Sequence, residues 1–398
     1  VLVVVFLVCL LLTLFKKGKH LVTVLLVLFS IVVGVSLFAF KSLVDVADNI
    51  NKTASYSEIE MKVVVPANSS ISDVSELTNV QAPTSADESN INALIANIKS
   101  EKGVELTVDP VDSYQSAYEN LINGNSQAMV LNSSYSSLLE LSYNDYESNL
   151  KTIYTYKIKK AIEDTAKTTD KSVFNIYISG IDTSGAVSTV SRSDVNLILT
   201  VNMNTHKILM TTTPRDSYVR IPDGGADQYD KLTHAGIYGI ETSVKTLENL
   251  YDIPINYYAR LNFTSFVKLI NALGGVTVYN DQAFTSLNGN YNFGVGNINL
   301  TSGEEALGFV RERYSLEHGD YDRGNNQLKV IQAIVEKLTS FQSVSNYSDV
   351  ISTLQDSIQT NMPLNTMMSL VNEQLDSGKT FIFSSQEVTG TGSTGQLT

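Results

Sequence analysis

Residues 255–276 read INYYARLNFTSFVKLINALGGV, a strand that runs directly into a helix. Ile255 to Leu261 forms the strand and Thr264 to Leu273 the helix, which Gly274-Gly275 stops in the usual way. The neighbouring segments extend the unit in both directions. Upstream lie a strand at Val173 to Ser179 and two apolar-rich strands, Val195 to Asn202 and Lys207 to Thr213, joined by the turn Met203 to His206. A helix is expected from His234 to Tyr251. Downstream, Gly303 to Leu307 opens a helix that carries Phe309 into Arg311-Glu312-Arg313. Asn325 to Phe341 is a long amphipathic helix with Leu328, Ile331, Val335 and Leu338 on one face. Helices at Ser348 to Gln359 and Leu364 to Asp376 and a strand near Thr380 to Phe383 complete the series. Strands alternating with helices predict an α/β domain over residues 172–398, a central mixed sheet sandwiched by helices (α/β/α).

A second, smaller alternation precedes it. Strands at Met61 to Val65, Val104 to Val108 and Gln127 to Leu131 interleave with helices at Ser89 to Ser100, Ser113 to Ile122 and Ser133 to Leu141. Residues 59–158 thus form a small α/β accessory domain, and the charged stretch Lys159 to Lys171 is a linker or a short connecting helix. The accessory domain holds no arginine and no catalytic motif, so it reads as a spacer or docking module.

Val1 to Phe15 and Leu21 to Phe40 are apolar runs separated by Lys16-Lys17-Gly18-Lys19-His20. The second has about 20 residues, enough to cross a hydrocarbon core of about 30 Å as a helix. The first reads as the tail of another span. The short basic loop at 16–20 places itself in the cytoplasm, and the expectation is a multi-pass cell-membrane protein whose main domains are extracellular. Leu21 to Phe40 is long for a signal peptide and has no clear small-residue cleavage site after it. The one cysteine, Cys9, lies in the first run, which excludes a disulfide-stapled fold. Setting aside Lys16, Lys17, Lys19 and Lys41, 24 of the 28 basic residues face all 41 acidic ones in the remaining chain. That balance disfavours nucleic acid as a partner.

Arginine is distributed unlike lysine. All seven arginines fall between Arg192 and Arg323, five of them in Ser191-Arg192-Ser193-Asp194, Pro214-Arg215-Asp216, Arg311-Glu312-Arg313 and Asp320-Tyr321-Asp322-Arg323. A planar, permanently charged fork grips phosphate through parallel hydrogen bonds. Clusters pairing it with lone aspartates suggest a site for phosphate and a divalent cation. Arg311 and Arg313, two apart, diverge on a regular helix, so both face one ligand only if the helix ends there. His206, His234 and His318 show no metal-ligand spacing, and no phosphate-loop or nucleophile-elbow motif is present.

The ordered set RSDV (192–195), PRDSYVRIP (214–222), KLTHAGIYG (231–239), residues 255–276, GEEALGFVRER (303–313) and DYDRGNNQ (320–327) resembles the LytR-CpsA-Psr family, and the two apolar runs followed by an extra N-terminal domain look most like its capsule-associated streptococcal branch. The resemblance implies a membrane-anchored phosphotransferase that moves a glycopolymer from a polyprenyl-pyrophosphate carrier to peptidoglycan with Mg²⁺. By matching motif, Asp182 and Asp194 would hold the metal, and with Arg215 they would be the catalytic residues. Arg192, Arg215, Arg311, Arg313, Arg323 and Gln327 would grip the pyrophosphate. The chain departs from the family at Thr212-Thr213-Pro214 and at Asn326-Gln327-Leu328, where some relatives carry another arginine. The resemblance also implies a hydrophobic groove for the lipid, for which Phe263, Phe266, Leu269, Ile270, Ile331 and Val335 are candidates, although apolar stripes at helical spacing ordinarily are core. Partners would be the lipid-linked glycan, the peptidoglycan acceptor, the membrane and capsule-synthesis membrane proteins. A polyprenyl-pyrophosphate hydrolase and a non-enzymatic lipid-phosphate sensor are the rival functions. Arg220 and Arg260 read as surface or peripheral residues. Asp216 is expected to orient Arg215, and Asp320 and Asp322 to support Arg323.

Overall fold

A computed structural model gives the arrangement of residues 56–392, except 144, 163–171, 182, 184–185, 341–349, 351–352 and 354–356. The apolar runs 1–15 and 21–40, expected to span a membrane, lie outside these described residues, as does the metal-site candidate Asp182. Among the described residues no helix is long and apolar enough to cross a membrane.

The smaller unit contains β1 (Tyr56–Pro66), β2 (Asn79–Ala82), α1 (Thr84–Lys102), β3 (Thr107–Pro110), α2 (Tyr114–Ile122), β4 (Met129–Asn132), α3 (Ser136–Ser142) and β5 (Leu150–Ala161). Its sheet runs β3-β2-β4-β1-β5. Met61, Val63 and Val65 of β1 pack on Ile91, Leu94 and Ile98 of α1. Val64 points the other way, onto Tyr114, Tyr118 and Leu121 around α2. A strand covered on both faces has no polar alternation, which is why Val63-Val64-Val65 is an unbroken apolar run. The expected linker at Lys159 to Lys171 begins instead as the end of β5, with Lys159, Lys160 and Ala161 paired to Glu58, Ser57 and Tyr56. The period-2 pattern of Tyr154, Tyr156 and Ile158 against Thr155, Lys157 and Lys159 continues into it, and Lys157 closes on Glu58 at 2.8 Å.

The larger unit begins with β6 (Val173–Ile181), β7 (Ser193–Asn202) and β8 (Lys207–Thr212), followed by the ribbon of β9 (Tyr218–Ile221) and β10 (Gln228–Lys231). Then come α4 (Ile240–Tyr251), β11 (Tyr257–Leu261) and α5 (Phe263–Ala272). The short strands β12 (Val276–Asn280), β13 (Phe284–Thr285), β14 (Asn292–Phe293) and β15 (Gly296–Leu300) lead to α6 (Gly303–Arg311) and α7 (Asp320–Thr339). The last elements are β16 (Gln359–Thr360), α8 (Leu364–Ser377) and β17 (Ile382–Glu387). The main sheet has the order β16-β11-β6-β7-β8-β17. It is mixed: β11 with β6 and β17 with β8 are parallel, the other pairs antiparallel.

Alternation along the strands separates two faces. Tyr177, Ile198 and Tyr258 pack on Ile240, Val244 and Leu247 of α4. Phe174, Ile176, Leu199 and Val201 face Leu328, Ile331 and Val335 of α7 and Met367 and Leu370 of α8. The helix expected from His234 is shorter: a 3-10 segment, Leu232–Tyr238, comes first, and α4 starts only after Gly239, whose φ of 108° interrupts the helical path. The long helix, conversely, starts at Asp320, five residues early, after Gly319 at φ 55°. Arg323 and Gln327 therefore sit one turn apart at its beginning. Most of the helix expected at Ser348 to Gln359 lies outside the described residues, and its final residue, Gln359, belongs to β16.

Candidate active site

A cavity of about 1180 Å³ opens between the main sheet and helices α5 to α8. One end is polar, and the rest is lined by Ile176, Ile178, Leu199, Phe263, Phe266, Leu269, Ile331, Val335 and Phe381. Of the six residues expected to form a lipid groove, Ile270 alone is outside this lining; it is fully buried in the neighbouring core of α5 and α6.

The polar end has two walls. The first is the segment Val187 to Asp194 between β6 and β7, which the smaller unit holds in place. Glu58 of β1 donates its N–H to the Ser188 carbonyl at 2.8 Å and accepts from the Val190 N–H at 3.0 Å. Ser134 Oγ donates to the Val190 carbonyl at 3.2 Å. Arg260 was expected to be peripheral, yet it is 1% exposed. Strand alternation puts it on the side opposite Ala259, which lines the cavity. There it donates to the Thr189 carbonyl at 2.9 Å and to Gln359 Oε1 at 3.2 Å. Gln359 in turn donates to the Tyr56 carbonyl at 3.0 Å. Burial pushes the Arg260 guanidinium down to about 10, so it remains charged at neutral pH. Gly236 fits beneath the same segment: a Cβ there would meet Ser191 O at 2.5 Å and Ser193 N at 2.6 Å. The result is a buried Arg192, 7% exposed, close in sequence to Asp194, the second residue of β7.

Asp194 is the hub of this wall. One carboxylate oxygen accepts from Arg215 Nη1 and the other from Thr233 Oγ1 at 3.0 Å. The Thr233 N–H donates to the Arg215 carbonyl at 2.9 Å, which locks the arginine's turn to the 3-10 segment. Asp216 does not orient Arg215 as expected, because adjacent residues of the turn diverge; it lies 3.4 Å from Lys231 Nζ.

The second wall is the end of α6 and the start of α7. The helix stops at Arg311, and Glu312 takes an extended conformation (φ −64°, ψ 136°). Arg311 and Arg313 therefore both reach the cavity. Arg311 lies 4.2 Å from the centre of the Phe263 ring, and Arg313 donates to Tyr314 Oη. Glu312 turns inward and accepts from the N–H groups of Leu287 (2.7 Å), Arg313 (2.9 Å) and Ser315 (2.9 Å). Burial alone would raise its pKa, but these donors hold it below the usual carboxylate range. Asp322 organises the next turn, accepting from the His318 N–H at 2.8 Å and Gln282 Nε2 at 2.7 Å. Gln327 Nε2 donates to the Val310 carbonyl at 3.3 Å, joining α7 to α6.

Arg192, Asp194, Arg215, Arg311, Arg313, Arg323 and Gln327 all line the one cavity. Glu140, Lys231, His234, Asn262 and Tyr314 line it as well and had been given no role. Lys231 and His234 stood in the motif at 231–239, and Asn262, which caps α5 by accepting from the Ser265 N–H, stood in the motif at 255–276. Glu140 comes from the smaller unit, more than 40 residues before the first of these motifs, and no sequence signal marks it. His234 Nδ1 is 2.8 Å from Asp230 Oδ2. Burial works to raise the Asp230 carboxyl, but His234 and the Lys231 N–H bring it below its ordinary value.

A carboxylate such as that of Asp194 is the type of oxygen ligand a hard cation takes. Asp194 presents its carboxylate at the polar end of the cavity, and Thr183 Oγ1, near the end of β6, is buried with no hydrogen-bond partner among the described residues. Among the described residues no group of three His, Cys, Asp or Glu side chains is placed to hold a metal ion.

The LytR_cpsA_psr family profile matches residues 139–396. Over 220 residues the chain is 36% identical to the polyisoprenyl-teichoic acid–peptidoglycan teichoic acid transferase TagU of Enterococcus faecalis, covering 54% of this chain and 71% of that protein. The transferase of the same name from Bacillus mycoides is 36% identical over 236 residues, 58% of this chain and 75% of that one. A solved Streptococcus agalactiae structure aligns with a TM-score of 0.49 and 29% identity, covering 55% of this chain and 78% of that one. A DNA polymerase processivity factor profile matches residues 16–131. The described part of that stretch, 56–131, carries three lysines and no arginine against eleven carboxylates, a balance that repels a phosphate backbone.

Proposed function

The chain belongs to the LytR-CpsA-Psr family, and from that premise we propose that it is a glycopolymer phosphotransferase acting on a polyprenyl-pyrophosphate-linked glycan, with peptidoglycan as acceptor. The observation that carries this reading is the two-part cavity, five arginines and Asp194 at one end and an apolar body between sheet and helices at the other. Its volume of about 1180 Å³ exceeds the common range for small-ligand pockets, roughly 300–1,000 Å³. An anionic head joined to a long hydrocarbon chain matches that division of chemistry. A free nucleotide or sugar phosphate would leave the apolar body unused.

In this reading Arg192, Arg215, Arg311, Arg313 and Arg323 converge on the pyrophosphate, and Gln327 braces the α6–α7 junction behind them. Phosphoryl transfer asks the protein chiefly for positioning and for charge stabilisation on the phosphoryl oxygens. The acceptor hydroxyl oxygen bonds to the sugar-linked phosphorus while the bond from that phosphorus to the bridging oxygen breaks. Polyprenyl phosphate leaves with the electron pair, and the hydroxyl proton passes to Asp194 or to His234, whose Nδ1 is already held by Asp230. Asp194, with Asp182, would hold Mg²⁺, which supplies charge neutralisation at the phosphates when bound. The capsule-type glycan, the anchoring by residues 1–40 and the extracellular position of the main domains belong to the same proposal and rest on the motif pattern and the apolar runs.

The test is release of polyprenyl phosphate from a lipid-linked pyrophosphate glycan, with labelled glycan and peptidoglycan fragments, for wild type, Asp194→Asn and Arg215→Ala. The expected result is label on peptidoglycan with wild type and a loss of at least 100-fold, about 2.7 kcal/mol, in each variant. Release without labelled peptidoglycan makes the protein a hydrolase, and tight binding without turnover makes it a sensor.

A further inference from the structure

The ribbon β9–β10 has an inner and an outer face. Val219 and Ile221 are buried against Leu232, Ile240 and Val244 and fix the ribbon to the core. The outer face presents Tyr218, Arg220, Tyr229 and Lys231, in the register Lys231 opposite Tyr218 and Tyr229 opposite Arg220. Tyr218 is 60% exposed and Tyr229 55%, and their rings lie against each other with centroids 5.2 Å apart and planes at 34°. Two large aromatics held together in solvent are not needed for packing, since the ribbon's apolar contacts are all on its other side.

Position gives this face a meaning. Lys231 lines the polar end of the cavity, as does Asp216, which it approaches. Tyr218 is its cross-strand neighbour and so stands at the rim. The pair Tyr229 and Arg220 lies two residues further out, about 7 Å along the strands. The ribbon is also braced. Asp223, Ala226 and Asp227 in its turn all have positive φ (52°, 50° and 59°), a costly arrangement for residues with side chains. Arg220 Nε bonds the Asp227 carbonyl at 3.1 Å, and Lys245 reaches both Asp223 oxygens at 2.9 Å, which holds the turn. A rigid ribbon loses little freedom on binding.

We propose that the outer face of β9–β10 is the docking ledge for the acceptor glycan strand, with Tyr218 and Tyr229 stacking on sugar rings and Arg220 bonding hydroxyl or carboxylate groups. This rests on the transferase reading and adds where the acceptor lies. An aromatic face carries negative quadrupole charge that attracts the polarised C–H groups of a pyranose, and the phenol oxygens add hydrogen bonds. The lipid-linked donor fills the cavity from within, so the attacking hydroxyl has to arrive over the rim. The ledge leads a strand across that rim to Lys231, beside Arg215. Two of the four outward side chains are cations, Arg220 lying 3.5 Å from Asp227 Oδ2 and Lys231 3.4 Å from Asp216 Oδ1.

The test uses the whole chain in detergent and the double variant Tyr218→Ala/Tyr229→Ala beside Tyr218→Phe/Tyr229→Phe, with undecorated peptidoglycan strands as probe. The alanine variant is expected to raise the acceptor KM about tenfold while kcat stays within about twofold, and the phenylalanine variant to restore most of the KM. Calorimetric binding of the same strands, without donor, should weaken in parallel. Unchanged KM and unchanged binding in the alanine variant overturn the ledge. A wild type that binds strands through the tyrosines yet transfers nothing to them refutes the transferase reading and leaves the ledge standing. Melting curves within about 2 °C of wild type are expected, since both side chains are exposed. A larger drop, with stacking therefore structural, counts against the proposal.

Discussion

The two walls of the polar end carry the same residue type and are built in opposite ways. Arg192 and Asp194 sit on a segment tied from several directions to distant parts of the chain: β1, Ser134, Arg260 and the Gly236 turn. Arg311 ends α6 and Arg313 follows it in a loop held from within by Glu312, a single inward carboxylate, with Asp322 supporting the next turn. The first wall is a property of the whole fold, and disturbing it should disturb stability. The second is a local device that can be weakened while the fold survives. The contrast also bears on the smaller α/β unit, expected to be a spacer or docking module: its strand β1 supports the arginine segment and Glu140 reaches the cavity.

Three substitutions sharpen or break this contrast. Arg260→Ala removes a buried cation and leaves the Thr189 carbonyl and Gln359 without their donor. A stability loss of about 3 kcal/mol in chemical denaturation is expected, together with weaker donor binding. If Arg260 acts on the site only through Arg192, its effect on donor binding disappears in an Arg192→Ala background. Gly236→Ala forces a Cβ to within 2.5 Å of Ser191 O. Backbone cannot yield as a flexible side chain does, so about 2 kcal/mol is expected, with the same loss of donor binding. The smallest effect belongs to Glu312→Gln, about 1 kcal/mol in stability, with donor binding reduced several-fold.

That third substitution has a pH signature. The folded-state pKa of Glu312 lies below 4.5, its ordinary value. Its contribution is therefore complete above about pH 4.5 and fades as pH falls through the folded-state value. Wild type and Glu312→Gln should differ in denaturation midpoint at pH 6, and the difference should shrink as pH falls below 4.5. A difference that persists undiminished at pH 3 would mean that the charge is not what holds the loop.

Several particulars show what the chain made legible. Residues 255–276 revealed a strand and a helix because the apolar periodicity changes at Asn262, which the structure uses as the helix cap. The arginines were visible as a group because their neighbours are small and polar. That both Arg311 and Arg313 point one way depended on the helix ending at Arg311, and it does. Residue type alone puts Arg260 at the surface, whereas strand alternation does not: in YYARL it shares a face with Tyr258, which is buried. At Lys159 and Lys160 charge obscures the end of a strand whose preceding residues alternate with apolar ones. Asp216 was assigned to Arg215 by adjacency, whereas the observed partners, Asp194 and Lys231, are brought together only by sheet order and the ribbon turn. Glu140 was beyond reach altogether, because only the docking of two units brings it to the cavity.

The most direct test of the account is a crystal structure, or a photo-crosslinking map, of the chain with a short-chain polyprenyl pyrophosphate. The pyrophosphate is expected between Arg192 and Arg215 on one side and Arg311 and Arg313 on the other, with the prenyl chain running past Phe266, Ile331 and Val335 toward Phe381. A pyrophosphate bound elsewhere, or a prenyl chain outside the space between the sheet and α7, would contradict it.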